Sequence, residues 1–233
     1  RSFRAQHAAS VIGDDSEFAL IRGRTNGGDQ LAVQRGRSKR HQLRLNQEPI
    51  VRSSALAAVL PTMVFDPNTI QLVLGEPERR RRFLNWGLFH VKPGPVSSDR
   101  SSTSVTSTVS SSTDFPANWE EANRCLRQRN LLLRRYTANS QAGNTKELET
   151  WSARLASYAN QIDRQRAQYV ELYRPLFTEI VQQLAGIDGV MFDYYRGWHR
   201  ETDLLDIYLK EADLDQKRGF TQKGFQRADV RIT

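Results

Sequence analysis

Apolar and polar positions first alternate with period two, then recur every three or four residues, and finally return to alternation. Between residues 8 and 48 the segments EFALIRGR, DQLAVQRGR and RHQLRLNQ alternate and are separated by Gly, Asn and Asp turn signals. This predicts an antiparallel meander with Phe18, Leu20, Leu31, Val33, Leu43 and Leu45 on one buried face. SSALAAVL (53–60) predicts a short helix with a Ser cap. TMVFDP predicts a buried strand ended by Pro67, and NTIQLVLGEP a short helix stopped by Gly75. Pro77 suits the first position of the next helix, with Glu76 and Glu78 in its first turn. That helix carries Arg79, Arg80, Arg81 and Arg82, followed by Phe83, Leu84, Trp86, Leu88 and Phe89. Four consecutive helical residues point in nearly all directions, so at most two of these arginines share a face.

The Ser/Thr-rich stretch 93–114 reads as a linker or surface insertion. From Phe115 to Ala185 the spacing is helical. Trp119, Ala122, Leu126, Leu133 and Tyr136 mark one helix, and NSQAGN closes it. A second helix carries Leu148, Trp151, Leu155, Tyr158, Ile162, Tyr169, Tyr173, Phe177, Ile180 and Leu184, with a polar interruption at Gln165 and Arg166 and a kink expected at Pro175. Two long helices joined by a short loop predict an antiparallel hairpin. VMFDYYRGW then predicts a strand, ETDLLDIYLKEADLDQKRG a helix, and GFTQKGFQRADVRIT a closing strand. The fold class is therefore α+β, with mostly antiparallel strands, short helices and an inserted helical hairpin.

Composition narrows the chemistry. The net charge of +8 over 233 residues favours phosphate-rich partners, although a solvated basic surface fits the same number. A single cysteine, Cys125, allows no internal disulfide and no zinc spacing, and its helical setting predicts a buried core thiol. No apolar run approaches a membrane span, so no membrane association is expected, and the single thiol fits a reducing, cytoplasmic location. Neither GxxxxGK[ST] nor GxGxxG occurs, and His7, His41, His90 and His199 are too dispersed for a metal site. The carboxylates of ETDLLD are explained by a helix N-terminus. What remains are basic clusters: Arg1 and Arg4; Arg35, Arg37, Lys39 and Arg40 at a hairpin tip; Arg79 to Arg82; and Arg124, Arg127, Arg129, Arg134 and Arg135 on the first long helix, where solvated helix faces are expected. The hairpin-tip set and the Arg79–Arg82 run are the candidate DNA-binding residues, through phosphate contact without sequence readout; a solvated turn for the first and structural salt-bridging for the second are the competing readings.

RSFR at the start, LPTMVFDPNTIQLVLGEPERRRRFLNWGLFH in the middle, LRQRNLLLR on the first long helix and GFTQKGFQRADVRI at the end occur in an order that resembles the RecF family of DNA repair and replication proteins. The resemblance spans nearly the whole chain outside the Ser/Thr-rich stretch. It implies an ABC-type ATPase head related to those of SMC proteins and Rad50, with residues 1–75 and 189–233 in the head and 76–188 in a helical arm. It further implies binding of gapped DNA, ATP with Mg²⁺, an ATP-dependent homodimer, a RecR-type mediator partner and assistance in loading RecA. The family's Walker A loop would precede RSFR, and its signature and Walker B motifs would follow RADVRI, so this stretch reads as an internal fragment that hydrolyses no ATP by itself and needs no cofactor. By resemblance Arg1, Arg4, Arg227 and Asp229 would lie near nucleotide. Two departures stand out: Asn85 where the family has Asp, and Phe225–Gln226 where it has Pro-His. A coiled-coil adaptor for a protein partner, or a degraded divergent copy, are the alternatives.

Overall fold

The computed structural model describes residues 8–37, 41–90, 115–138 and 145–233. The chain forms two compact units, residues 1–69 and 70–233. The Ser/Thr-rich stretch 93–114, RSFR and the loop NSQAGN lie outside the described residues.

The first unit is a meander of β1 (Phe18–Arg24), β2 (Gln30–Gly36), β3 (His41–Leu45) and β4 (Glu48–Ile50), paired antiparallel in that order. The β1–β2 turn is closed by Thr25 and Asp29, whose backbones hydrogen-bond, with Gly28 at φ 96°. That turn fixes a register in which Ile21 faces Val33 and Leu20 faces Gln34. Partners directly opposite share a face. Ile21, Val33 and Leu43 therefore make one apolar row, with Leu31 and Leu45 beside it. Phe18 and Leu20 lie on the other face and are exposed, contrary to expectation. A shift of one residue moves a whole strand's side chains to the opposite face, and β1 has apolar residues at both parities. A helix α1 (Ser53–Val59) follows, but without a side-chain cap bond: Arg52 occupies the cap position. Residues 61–66 form no strand, and Phe65 is largely exposed. A β-strand needs a neighbour for its backbone groups, and none pairs with TMVFDP among the described residues.

The second unit opens with α2 (Gln71–Leu74), preceded by a 3-10 turn at Pro67–Ile70, and α3 (Pro77–His90). The long helices α4 (Phe115–Ala138) and α5 (Thr145–Ala185) run antiparallel: Leu132 and Leu133 near the end of α4 meet Leu148 near the start of α5, while Ala122 and Cys125 meet Leu155, Ala159 and Ile162. Cys125 is fully buried, and burial pushes its thiol pKa up. The helix α5 continues through Pro175. The returning strands β5 (Phe192–Tyr195) and β6 (Asp229–Ile232) pair with each other. Phe192 and Tyr194 face inward and Asp193 and Tyr195 outward, as the alternation predicts. The segment ETDLLDIYLKEADLDQKRG is two helices, α6 (Leu204–Lys210) and α7 (Ala212–Arg218), broken at Glu211. Asp203 caps α6 by accepting hydrogen bonds from the backbones of Leu205 and Asp206.

Candidate nucleic-acid interface

Two of the segments singled out in the sequence, the first long helix and the arginine-run helix, converge on residues 219–229. Arg129 and Asn130 of LRQRNLLLR reach Thr221 of GFTQKG. Arg129 Nη1 donates to Thr221 Oγ1 (2.6 Å) and to Asp215 Oδ2 (2.7 Å), Nε donates to Ser152 Oγ (2.9 Å), and Nη2 donates to the Tyr208 carbonyl (3.2 Å). Asn130 Oδ1 accepts from both the Thr221 backbone N–H and its hydroxyl. Arg129 has no exposed surface, so it is a core residue and not part of a solvated helix face. Its charge is balanced by Asp215 at the same depth, the condition under which a buried cation is tolerated.

A second buried guanidinium, that of Arg166, explains the polar break in the α5 seam. Its Nε and Nη2 donate to Asn85 Oδ1 (3.2 and 2.9 Å), and Nη1 donates to the Phe225 carbonyl (2.7 Å). Burial lowers its pKa. Nearby, Arg196 Nε lies 3.1 Å from Asp163 Oδ2. Even so, the Asp163 carboxyl stays above the usual carboxylate range, because burial outweighs the neighbouring arginines. Phe225, where the resemblance leads one to expect proline, is buried edge-on against Trp119. Gln226 holds the loop through Lys223 O (2.8 Å). These two residues give the loop a packing role.

The arginine run divides by direction, as helical geometry requires. Arg80 grips Asp229 through two bonds, Nε–Oδ1 (2.8 Å) and Nη2–Oδ2 (3.1 Å), which raises its pKa. Its Nη1 closes the end of α2 through the carbonyls of Gly75 (2.7 Å) and Val73 (3.2 Å), satisfying helix-terminal acceptors. Arg81 donates to the Ala228 carbonyl (2.9 Å), and burial lowers its pKa. Arg82 pairs with Glu78 one turn away in solvent, and Arg79 is exposed. Arg227 is exposed, its guanidinium 5.9 Å from the Phe220 ring centre. Two of the four arginines thus bind the return segment, and two face water.

The hairpin-tip set is also divided. Arg35 is opposite Ala19 and His41, on the apolar side of the sheet, and half-buried. Arg37 donates to the carbonyls of Gly13 (2.7 Å), Asp14 (3.0 Å) and Ser16 (2.9 Å), tying down the segment before β1. Lys39 and Arg40, like Arg1 and Arg4, lie outside the described residues. The exposed basic face of the sheet carries instead Arg22, Arg24 and Arg44. Sequence reading missed these three, yet the signal is present: Ile21-Arg22 and Leu43-Arg44-Leu45 alternate apolar and basic. Among the described residues no group of His, Cys, Asp and Glu could hold a metal, and no helix is long and apolar enough to cross a membrane.

No protein-family model matches the chain. It is 32% identical over 238 aligned positions to the DNA replication and repair protein RecF of Pseudomonas syringae pv. syringae (strain B728a), and 32% over 235 to that of Chromohalobacter salexigens. Each alignment takes in all of this chain and 58% of the relative, so the chain spans somewhat over half the length of the curated relatives it matches. A solved structure of the recombination mediator protein RecF-ATP in the RecFOR pathway superposes with a TM-score of 0.76 at 19% identity, covering 100% of this chain and 60% of that one. That likeness shows the fold, α+β with antiparallel sheets and helices. Three of the motifs carrying the resemblance are thus joined in space by Arg129–Thr221 and Arg80–Asp229, and along its whole length the chain is similar to a stretch of the RecF DNA replication and repair proteins.

Proposed function

We propose that this chain is the head-and-arm portion of a RecF-type protein that binds gapped DNA and, with a RecR-type mediator, helps load RecA. The observation that carries the reading is similarity along the whole chain to RecF relatives. The exposed basic residues agree with it, since neutralising phosphates releases counterions and drives association without base contacts. In this reading residues 1–75 and 189–233 belong to the head and 76–188 to the arm. The whole protein is cytoplasmic, binds ATP with Mg²⁺, and pairs its heads around nucleotide. Arg79 and Arg82 remain candidate DNA contacts because their side chains face solvent. Arg35, Arg37, Lys39, Arg40 and Arg81 would contribute through their charge, that of Arg80 being matched by Asp229, and Arg1, Arg4, Arg227 and Asp229 remain candidates for the nucleotide side.

The test is equilibrium binding of the full-length protein containing this chain to gapped and blunt labelled duplexes, with and without ATP. Tighter binding to the gapped duplex that depends on ATP is expected. Equal affinity for both DNAs under both conditions overturns the reading. An adaptor role is favoured by one feature, the row Leu172, Leu176, Ile180 and Leu184 exposed at one-turn spacing on α5. Polar substitution of that row would then abolish capture of a protein partner while leaving DNA affinity unchanged.

A further inference from the structure

The sheet of the first unit has two chemically different faces. One carries Ile21, Val33, Leu43, Leu31 and Leu45. On the other, cross-strand rows place Leu20 with Gln34 and Gln42, Arg22 with Ala32 and Arg44, and Arg24 with Gln30. This polar face bounds a shallow concavity of about 700 Å³ lined by Arg22, Arg24, Arg44, Gln34, Gln42 and Gln30, among others. All three arginines are exposed. No aspartate or glutamate occupies a strand position on that face. The nearest turn acid, Asp29, accepts from Asn46 Nδ2 and forms no ion pair with the three arginines.

We propose that this face is a docking surface for the phosphate backbone of DNA. The inference rests on the DNA-binding reading above and assigns it a place the arginine runs did not indicate. Strand geometry spaces the charges. Arg22 and Arg24 are two residues apart on one strand, about 6.8 Å, and Arg22 and Arg44 are two strands apart, about 9–10 Å. The first separation is about two base-pair rises along one DNA strand. The small side chain of Ala32 between Arg22 and Arg44 leaves the floor low, so both guanidiniums can turn toward one ligand. Gln34, Gln42 and Gln30 supply neutral donors and acceptors that tolerate any sequence, the pattern expected of backbone contacts. A planar guanidinium also meets two phosphate oxygens at once, which a lysine cannot do.

The experiment compares the full-length protein containing this chain, with ATP present, with its Arg22→Gln/Arg24→Gln/Arg44→Gln variant and with a control of equal charge loss, Arg127→Gln/Arg154→Gln/Arg164→Gln, on exposed positions of α4 and α5. Affinity for a labelled duplex is measured from about 50 to 200 mM salt, beside thermal melting of each variant. At about 0.9 per phosphate, the sheet variant should flatten the slope of log affinity against log salt by two to three units, and the control by much less. Both variants should melt with the wild type, since all six side chains lie at the surface. A sheet variant whose slope matches the wild type, or falls no further than the control, overturns the surface and leaves DNA binding intact. Absence of wild-type binding at about 50 mM salt overturns the DNA reading itself, and with it this surface.

Discussion

Asn85 decides how well a buried charge is balanced. Arg166 has no exposed surface, and its hydrogen-bond acceptors, Asn85 Oδ1 and the Phe225 carbonyl, are neutral. A hydrogen bond to a charged partner contributes about 1.5–3 kcal/mol, against about 0.5–1.5 for a neutral one. Since Arg166 is already stripped of water, Asn85→Asp adds the attraction and desolvates only one new group. It should raise stability at neutral pH by about 1 kcal/mol. Its sign with pH is defined. The gain requires that direct hydrogen bonding to Arg166 outweigh burial, which prevails at nearby Asp163; the native pKa of the new carboxylate is then lowered, and the gain is present above its unfolded value of about 3.9 and lost as pH falls through the native value. Melting curves of both proteins from neutral to acid pH should converge at the acid end; a variant less stable at neutral pH contradicts the account. The same residue shows what sequence conceals. Arg129 read as surface and Arg166 as a polar break in an apolar seam, and only partners far along the chain, Asp215 and Asn85, reveal both as core charges.

At the scale of elements, the helices were legible because their apolar spacing persists over many turns, and α3, α4 and α5 follow it closely. Strand β1 was legible as a strand but not in its facing, because FALI offers apolar residues to both sides and the β1–β2 turn makes the choice. The break between α6 and α7 left no glycine or proline in the sequence. Nor does FLNWGLFH announce why Gly87 is there. In the structure α3 meets α5 at Gly87, where a Cβ would collide with the Tyr169 ring and hydroxyl. At a solvated helix position Gly→Ala gains about 1 kcal/mol. Here overpacking costs about 1–3 kcal/mol, so Gly87→Ala should be net destabilising. Adding Tyr169→Leu should recover part of the loss and show non-additivity in a double-mutant cycle. Stabilisation by Gly87→Ala alone contradicts this packing.

Across the whole second unit, the most distant partners in sequence are also among the most tightly bound. Arg80 and Asp229 are 149 residues apart and hold α3 against β6. Their side chains are about one-sixth exposed, so the pair falls between surface pairs of at most about 1 kcal/mol and buried ones costing about 3–5 kcal/mol to break. Asp229→Asn should therefore cost about 2 kcal/mol by chemical denaturation, with an unchanged dependence on denaturant. A loss no greater than that of breaking the exposed Arg82–Glu78 pair would reduce the clamp to a surface contact. The clamp also has a mechanical consequence. Since α3 and β6 meet side by side, tension applied between residues 76 and 233 bears on their seam before it reaches the α4–α5 hairpin. The hairpin is fastened to that seam, by Arg166 to Asn85 and by Tyr169 against Gly87, so a push on the hairpin arrives at the same seam that carries the pull.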